Sequence, residues 1–380
     1  PYLAKAMTKQ QKYRDILQEV NLESFQDNAL RANMMAYRAE AFLGIKMSEK
    51  AFLTIKQASL LSPESIDVKL IHARILTMTN QEGRALEILT SVVSEHPANS
   101  EAWLWKGRAE RSLENYEAAI ESFGKVVKEA SFSAPARLER ALVYIRLQRT
   151  EEARADLEAL ERIAPDSSRV LFAKGFLNLQ QEQLRDAQIL LEESLRAAPE
   201  VLETELFLGV AHAGLGDYSL AEEYLTRVVA RMPENINARK LLVRILYDSG
   251  KYEDARDVIA QGYEQFKDDS SFLLLYAKVL LGVNQADRAV EILKRAIMIA
   301  PDQGVETVEK GLEKESLQSV AASYPLPVQA RILISLAYLR GKNYAEAGKA
   351  AAELEKAHPD IAIANLKRGG CPQSWASRSG

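Results

Sequence analysis

The sequence has 380 residues, of which 47% are apolar and 27% charged, and its formal net charge is −4. That charge argues against a nucleic-acid partner, because proteins that bind nucleic acids present a basic surface to the phosphates. With only 18 glycines and 12 prolines, the chain has too few turn-forming residues for a β-sandwich or barrel, in which a turn follows about every 8–12 residues.

No apolar run in the sequence approaches the roughly 18 residues that a membrane-spanning helix needs, so we expect no transmembrane segment. The single cysteine, Cys371, excludes an internal disulfide and a cysteine-based zinc site. The sequence begins at Pro1 without a signal sequence. We therefore expect a processed form or an excised fragment, from which any targeting segment has been lost.

Prolines and small residues recur along the chain at a constant sequence spacing, equal to that between Pro63 and Pro97. Prolines occupy six of the eight positions of the first series, which are Pro63, Pro97, Pro165, Pro199, Pro233 and Pro301, with Ser131 and Lys267 at the other two. An alanine precedes each position at a fixed distance: Ala51, Ala85, Ala119, Ala153, Ala187, Ala221, Ala255 and Ala289. A third series precedes the alanines by that same distance. Its residue is small in seven of eight cases, with Val243 as the exception: Ala39, Ala73, Gly107, Ala141, Gly175, Gly209 and Ala277. So regular a period indicates internal repeats.

Each repeat is predicted to consist of two helices, A and B, joined by a short turn such as Gly216-Asp217-Tyr218. We expect the small residue on helix A to face the alanine on helix B, because a larger side chain would overpack the contact at a cost of about 1–3 kcal/mol. The proline ends helix B because it cannot continue a helix. A larger apolar residue four positions after each alanine shares its face of helix B: Ile55, Leu89, Phe123, Leu157, Leu191, Leu225, Ile259 and Leu293.

This pattern resembles the tetratricopeptide repeat, which has a period of about 34 residues and the same order of small residue, small residue and proline. The clearest copy is 202–235, LETELFLGVAHAGLGDYSLAEEYLTRVVARMPEN. The resemblance implies an all-α fold in which the repeats stack into a right-handed superhelix and the A helices line a concave groove.

In chain order, residues 1–31 are predicted to form a partial, degenerate repeat with Tyr13 at its turn and Ile16 in the alanine position. Residues 32–303 form eight consecutive repeats. A shortened helical segment is expected at 304–327, ending at Pro325-Leu326-Pro327, because the repeat proline after Pro301 is Pro359, well beyond one further period. A further repeat-like unit is expected at 328–367, and residues 368–380 are expected to be a disordered or expression-derived tail.

The sequence contains no recognisable catalytic constellation. Its four histidines, His72, His96, His212 and His358, are spread along the chain, and it has no phosphate-binding loop and no nucleophile motif. We therefore expect a protein that is not an enzyme and that has no cofactor and no metal site. An alternative is that this chain is the regulatory repeat region of a larger enzyme whose catalytic domain lies outside it.

In the repeat family, the second, fifth, ninth and twelfth positions of each unit face the groove. Reading the ninth position from residue 32 onward gives basic residues on both sides of an apolar middle, and Arg111 and Lys240 at other groove positions add to the basic ends. The predicted partner-binding residues are Arg74, Arg108, Arg111, Leu142, Phe172, Phe176, Val210, Lys240, Arg244 and Lys278. They suggest a groove for an extended protein segment that is apolar at its centre and acidic towards its ends. Two alternatives stay open. The basic side chains could be solvated or pair with carboxylates on neighbouring repeats, and the apolar ones could pack between repeats.

Three stretches resemble a bacterial subgroup, the PEP-CTERM system TPR-repeat lipoproteins: residues 2–20 (YLAKAMTKQQKYRDILQEV), 235–255 (NINARKLLVRILYDSGKYEDA) and 332–369 (ILISLAYLRGKNYAEAGKAAAELEKAHPDIAIANLKRG). That resemblance implies a periplasmic or outer-membrane location through a lipid anchor outside this chain, and association with exopolysaccharide export or protein sorting machinery. The alternative is a cytoplasmic peptide-binding adaptor or co-chaperone.

Overall fold

The structure is a computed structural model that describes residues 2–129, 133–199, 201–299 and 325–357. Within these residues the secondary structure is helical throughout, without a strand. The predicted tail at 368–380 and most of the predicted segment at 304–327 lie outside the described residues. The chain divides into two compact units, Pro1–Ala198 and Pro199–Gly380.

The described residues of unit 1 form twelve α-helices and a short 3-10 helix at Leu22–Ser24. The α-helices are α1 (Tyr2–Lys9), α2 (Tyr13–Glu19), α3 (Asn28–Gly44), α4 (Ser48–Leu61), α5 (Ile66–Met78), α6 (Glu82–Glu95), α7 (Ser100–Ser112), α8 (Tyr116–Glu129), α9 (Ala134–Arg146), α10 (Thr150–Glu161), α11 (Ser168–Gln180) and α12 (Leu184–Ala197). From α3 onward they form five successive helix pairs, and α2, which buries Ile16, packs against α3.

Unit 2 contains α13 (Leu202–Leu215), α14 (Tyr218–Arg231), α15 (Ile236–Asp248), α16 (Tyr252–Gln261), α17 (Tyr263–Phe266), α18 (Ser270–Gly282), α19 (Ala286–Ile299), α20 (Leu326–Arg340) and α21 (Tyr344–Ala357). The helix α20 begins two residues before the expected unit start at 328, and Pro327 lies in its first turn, where a proline is tolerated. Its apolar face joins the same core as α18 and α19, and Arg340 Nη1 donates a hydrogen bond to the carbonyl of Leu281 at 2.8 Å.

The predicted alanine series forms the centre of every helix pair. All eight alanines are buried, and so are the small residues on the A helices and the larger apolar residues four positions later. The expected contact of small residue with alanine differs in detail. A Cβ atom added to Gly107 would lie 2.5 Å from the ring of Phe123, and at Gly175 and Gly209 the closest atom is Cγ of Leu191 and of Leu225. The small residue on helix A therefore makes room for the large apolar residue on helix B.

Every A helix of the eight consecutive pairs ends in the same backbone turn. The residue that follows its last turn has φ between 57° and 82°, the left-handed region: Lys46, Asn80, Glu114, Gln148, Glu182, Gly216, Gly250 and Asn284. The amide of the next residue donates to a carbonyl five positions back at 2.8–2.9 Å, as Met47 does to Phe42. This is the Schellman motif. Only two of the eight left-handed positions hold glycine, the residue that adopts this conformation without strain.

The seventh pair departs from the pattern where lysine replaces the repeat proline at 267. Its B helix breaks between α16 and α17 at Gly262, where the stem of the buried Arg239 occupies the space of a Cβ, 2.7 Å from Cδ. The amide of Gly262 donates to the carbonyl of Ile259 at 3.1 Å instead of to that of Val258. Arg239 Nη1 donates to the carbonyl of Val258 at 2.8 Å. Burial lowers the pKa of this guanidinium. The break thus follows from an arginine inserted under helix B.

Alanine substitutions at two glycines of unit 1 test the packing of small against large residues. Gly83 has nothing within 4 Å of an added Cβ, whereas Gly107 has the Phe123 ring. Both changes gain about 1 kcal/mol of helix propensity, but only Gly107→Ala overpacks a buried contact. We expect Gly83→Ala to raise the denaturation midpoint and Gly107→Ala to be less stable than Gly83→Ala by about 1–3 kcal/mol. Equal stability of the two variants in urea denaturation would contradict this packing.

A second pair of variants tests the strained turns. Glu182 is exposed and left-handed, with φ of 58°, and Glu158 is exposed in the interior of α10. A left-handed non-glycine residue costs about 1–2 kcal/mol, so Glu182→Gly is expected to raise the free energy of unfolding by about 1 kcal/mol. Glu158→Gly is the control and is expected to lower it by about 1 kcal/mol. Thermal melts followed by circular dichroism distinguish the two, and a loss of stability in Glu182→Gly would refute the strain.

Candidate functional site

The predicted basic residues of unit 1 are held in ion pairs between neighbouring repeats. Arg74 on α5 pairs through Nη2 with Glu40 on α3 and through Nη1 with Glu101 on α7 at 3.5 Å. Arg108 Nε lies 3.0 Å and Arg111 Nη2 3.4 Å from the carboxylate of Glu139, whose side chain is 3% exposed. These arginines therefore pair with carboxylates on neighbouring repeats, which is one of the alternatives that the sequence left open.

A tryptophan lies against two of these arginines. The guanidinium carbons of Arg74 and Arg108 are 5.2 Å and 4.5 Å from the centre of the Trp105 ring, within the range of a cation–π interaction. Burial lowers the pKa of Arg108, an effect that the charge of Glu139 opposes. The stacked and paired arginines of unit 1 are thus fixed in place by several contacts each.

The predicted apolar residues of unit 1 belong largely to its core. Phe172 is buried, while Leu142 and Phe176 are half-buried and pack on the cluster that α9, α10 and α11 share. The rings of Phe172 and Phe176 stack with centroids 6.3 Å apart. Most of the apolar surface of these three residues is therefore buried in packing between repeats.

Unit 2 contains a cavity between α15 and α18, which we call the α15–α18 cavity. Its volume is ≈ 690 Å³, and its lining residues are Asn237, Lys240, Leu241, Arg244, Tyr247, Asp248, Ser271, Leu274, Leu275 and Lys278. These residues recur three or four positions apart on each helix, so they form one face of α15 and one face of α18. The cavity brings together three of the predicted basic residues, Lys240, Arg244 and Lys278, on an apolar floor of leucines.

The three cations of this cavity differ in their partners. Lys240 Nζ contacts Ser271 Oγ at 2.8 Å and lies 3.6 Å from Asp269. Arg244 and Lys278 have no carboxylate within 4.0 Å among the residues that the structure describes. Burial and the charge of Arg244 lower the pKa of Lys278. The two uncompensated cations repel each other, so an anion bound between them would be stabilised.

The remaining predicted residue of unit 2, Val210, is half-buried on α13 and does not line this cavity. Leu241 and Leu275 do line it although the groove positions omit them. The repeat spacing could have identified these two leucines. Positions 237, 240, 241 and 244 are equivalent to positions 271, 274, 275 and 278 of the next repeat. Both leucines follow a groove position directly and lie on the same cavity.

The side chains of the α15–α18 cavity could hold an anionic ligand against an apolar surface. The described residues contain no group of three histidine, cysteine, aspartate or glutamate side chains that could hold a metal ion. In the same part of the chain, each helix is too short or too polar to span a bilayer. The chemistry that the α15–α18 cavity presents is cationic and apolar recognition.

Comparison with protein families agrees with the paired helices. Two family models described as tetratricopeptide repeat match the chain, one over residues 83–134, 106–168, 172–236 and 314–371, the other over 212–278 and 246–306. The chain belongs to the tetratricopeptide repeat family. Members of this family are scaffolds for protein interactions, and the helix pairs of this tetratricopeptide repeat protein provide such a scaffold.

One solved structure shows the same fold at low identity, and two others are similar over part of the chain. A chain of the APC/C hetero-tetramer Cut9–Hcn1 is 15% identical with a TM-score of 0.57, over 77% of this chain and 64% of that one. This tetratricopeptide repeat protein thus spans less than two thirds of that relative. PilW, a type IV pilus biogenesis factor, is 23% identical with a TM-score of 0.49, over 54% of this chain and 94% of its own. TTC0263 from Thermus thermophilus is 19% identical with a TM-score of 0.43, over 48% and 99%. No curated protein matches the sequence.

Proposed function

We propose that this tetratricopeptide repeat protein is a scaffold without catalytic activity, and that its α15–α18 cavity binds a segment of a partner protein in which a carboxylate adjoins apolar residues. The observation that carries the proposal is the pair of uncompensated cations, Arg244 and Lys278, beside Leu241, Leu274 and Leu275. Hydrogen bonds between a guanidinium or ammonium and a carboxylate are about twice as strong as neutral ones. The leucines would contribute through the apolar surface that the segment buries.

The contrast with unit 1 supports this location. Arg108 and Arg111 share the carboxylate of Glu139, and Arg74 is shared between Glu40 and Glu101. A partner carboxylate would have to displace an internal, partly buried one there. At the α15–α18 cavity no such exchange is needed, because Arg244 and Lys278 have no carboxylate at contact distance within the described part of the chain.

Charge reversal in the cavity tests the proposal. The probe is a fluorescein-labelled peptide of alternating leucine and glutamate, compared with the same peptide in which glutamine replaces glutamate. We expect the acidic peptide to bind more tightly than the neutral one, and R244E with K278E to weaken its binding at least about tenfold, because breaking a charge-assisted contact costs at least about 1.4 kcal/mol. Fluorescence anisotropy measures both affinities at low salt.

The matched control reverses two exposed cations of unit 2 outside the cavity, Arg231 and Lys294. R231E with K294E changes the net charge equally, so general electrostatic attraction would weaken in both double variants. Equal binding losses in the two variants would remove the cavity from the site. Circular dichroism checks that helicity is unchanged.

We further propose that the partners belong to a bacterial envelope complex for exopolysaccharide export or protein sorting, with the protein anchored by a lipid outside this chain. The support is the resemblance of residues 2–20, 235–255 and 332–369 to the PEP-CTERM system TPR-repeat lipoproteins. The repeat scaffold is compatible with this role, since each helix pair adds a surface on which a subunit can dock.

Affinity capture of the tagged full-length protein from cross-linked cells, read by mass spectrometry, tests the envelope role. Recovery of outer-membrane or polysaccharide-synthesis proteins is expected, and their loss on R244E with K278E would connect them to the cavity. If only cytoplasmic proteins are recovered, the protein is a cytoplasmic peptide-binding adaptor. A catalytic domain in the full open reading frame would instead make this chain the regulatory region of an enzyme.

A further inference from the structure

Unit 1 contains a small cavity whose lining is acidic, which we call the α3–α5 cavity. Its volume is ≈ 60 Å³, and it lies against α1, α3, α5 and α7. About 10–15 Å³ of such volume is enough for one water molecule, so this cavity has room for a group of a few heavy atoms. Leu70 and Ile71 form its apolar part.

The ionisable groups of the α3–α5 cavity are unbalanced. Glu40, Asp67 and Glu101 contribute three carboxylates, and Lys5 and Arg74 contribute two cations. Arg74 contacts Glu40 and Glu101, and Lys5 lies 3.6 Å from Asp67. The cavity therefore has one negative charge more than its own side chains neutralise.

One oxygen of this cluster is buried without a partner. Glu40 is 8% exposed, and its Oε1 accepts from Arg74 while its Oε2 has no hydrogen-bond partner among the described residues. A buried carboxylate oxygen that accepts no hydrogen bond is costly. Glu40 lines the cavity, and a donor there that reached Oε2 would supply the missing hydrogen bond.

The surroundings favour a donor that carries a positive charge. Burial raises the pKa of Glu40, and the pKa of Tyr37 is raised by burial and by the charges of Asp67, Glu101 and Glu40. Burial is the largest cause of both shifts, and the charge of Glu101 raises both pKa values further. A cation would lower the energy of Glu40 and of its acidic neighbours together.

We infer that the α3–α5 cavity binds a primary ammonium group, with Oε2 of Glu40 as its acceptor. A metal ion is disfavoured, because these carboxylates do not form one of the three-ligand groups that could hold it in the described part of the chain. The ammonium comes either from a lysyl side chain of a partner protein or from a small free amine. This site is in unit 1 and is independent of the proposed α15–α18 cavity.

A hydroxyl group is the competing occupant, because Arg74 Nε is also buried without a partner in the described residues and a hydroxyl could both donate to Glu40 and accept from Arg74. Three probes of similar size distinguish the possibilities. Butylammonium carries the proposed group, butanol replaces it by a hydroxyl, and tetramethylammonium has the charge without an N–H donor.

The experiment titrates each probe into the folded protein at constant ionic strength and follows the ¹³Cδ resonance of Glu40 by NMR. We expect butylammonium to lower the pKa of Glu40 in a saturable manner and to bind at least about tenfold more tightly than either other probe, since it alone supplies a charged donor. Equal effects of butylammonium and tetramethylammonium would mean that ionic screening causes the change, and would overturn the proposal. Equal binding of butanol, or no saturable change, would also overturn the proposal.

Glu40→Gln removes the charged acceptor at nearly constant shape and is expected to abolish the preference for butylammonium. Glu49→Gln, at an exposed position in the first turn of α4, is the matched control and should keep it. If Glu40→Gln does not fold, the comparison of probes on the unmodified protein still decides the question. A blocked Ala-Lys-Ala peptide identifies the source, because tighter binding than butylammonium favours a lysyl side chain and weaker binding favours a small amine.

Discussion

Close packing between the two helices of a pair is the constraint on which the fold depends: in three pairs a glycine midway along the first helix receives a large apolar side chain from the second, and in the other pairs the same two positions are also buried. Where the small residue is Gly107, the Phe123 ring fills the space that a Cβ would occupy, and Leu191 and Leu225 do the same at Gly175 and Gly209. Close packing makes such a contact sensitive to a single added methyl group. Because the contact returns in successive repeats, it fixes how far apart the helices of a pair lie and which face each one turns outward.

The A helices carry the basic residues that are predicted to line the groove. These residues have different partners in the two units. In unit 1, carboxylates such as Glu139 lie between repeats, and Arg108 and Arg111 neutralise them. In unit 2, α15 and α18 hold Arg244 and Lys278 without a carboxylate at contact distance among the described residues. Compensated pairs contribute to the fold, whereas uncompensated charges beside an apolar floor are available for a ligand. The same repeat position can therefore serve the fold in one unit and recognition in the other.

Prediction of the fold succeeded because the repeat imposes the same requirement many times. Proline, alanine and the small residue each serve one steric purpose, so their common period identifies the helix pairs and their buried faces. The conformation of the turns was harder to predict from the sequence. Glu114 and Glu182 occupy left-handed positions that glycine holds at 216 and 250, and a non-glycine residue in such a turn has no clear sequence signature. The break at Gly262 was also hidden, since it depends on Arg239, which lies on another helix.

The sequence by itself determined the family and the residues that are buried within each helix pair, because these depend on side-chain size at fixed spacing. It could not separate Arg108 from Arg244, two arginines at the same position of different repeats. Only the tertiary structure decided that Glu139 neutralises the first and that the second lines an open cavity with Lys278. The pairing of charges depends on distances of a few ångströms between side chains on neighbouring repeats, and no local pattern specifies those distances.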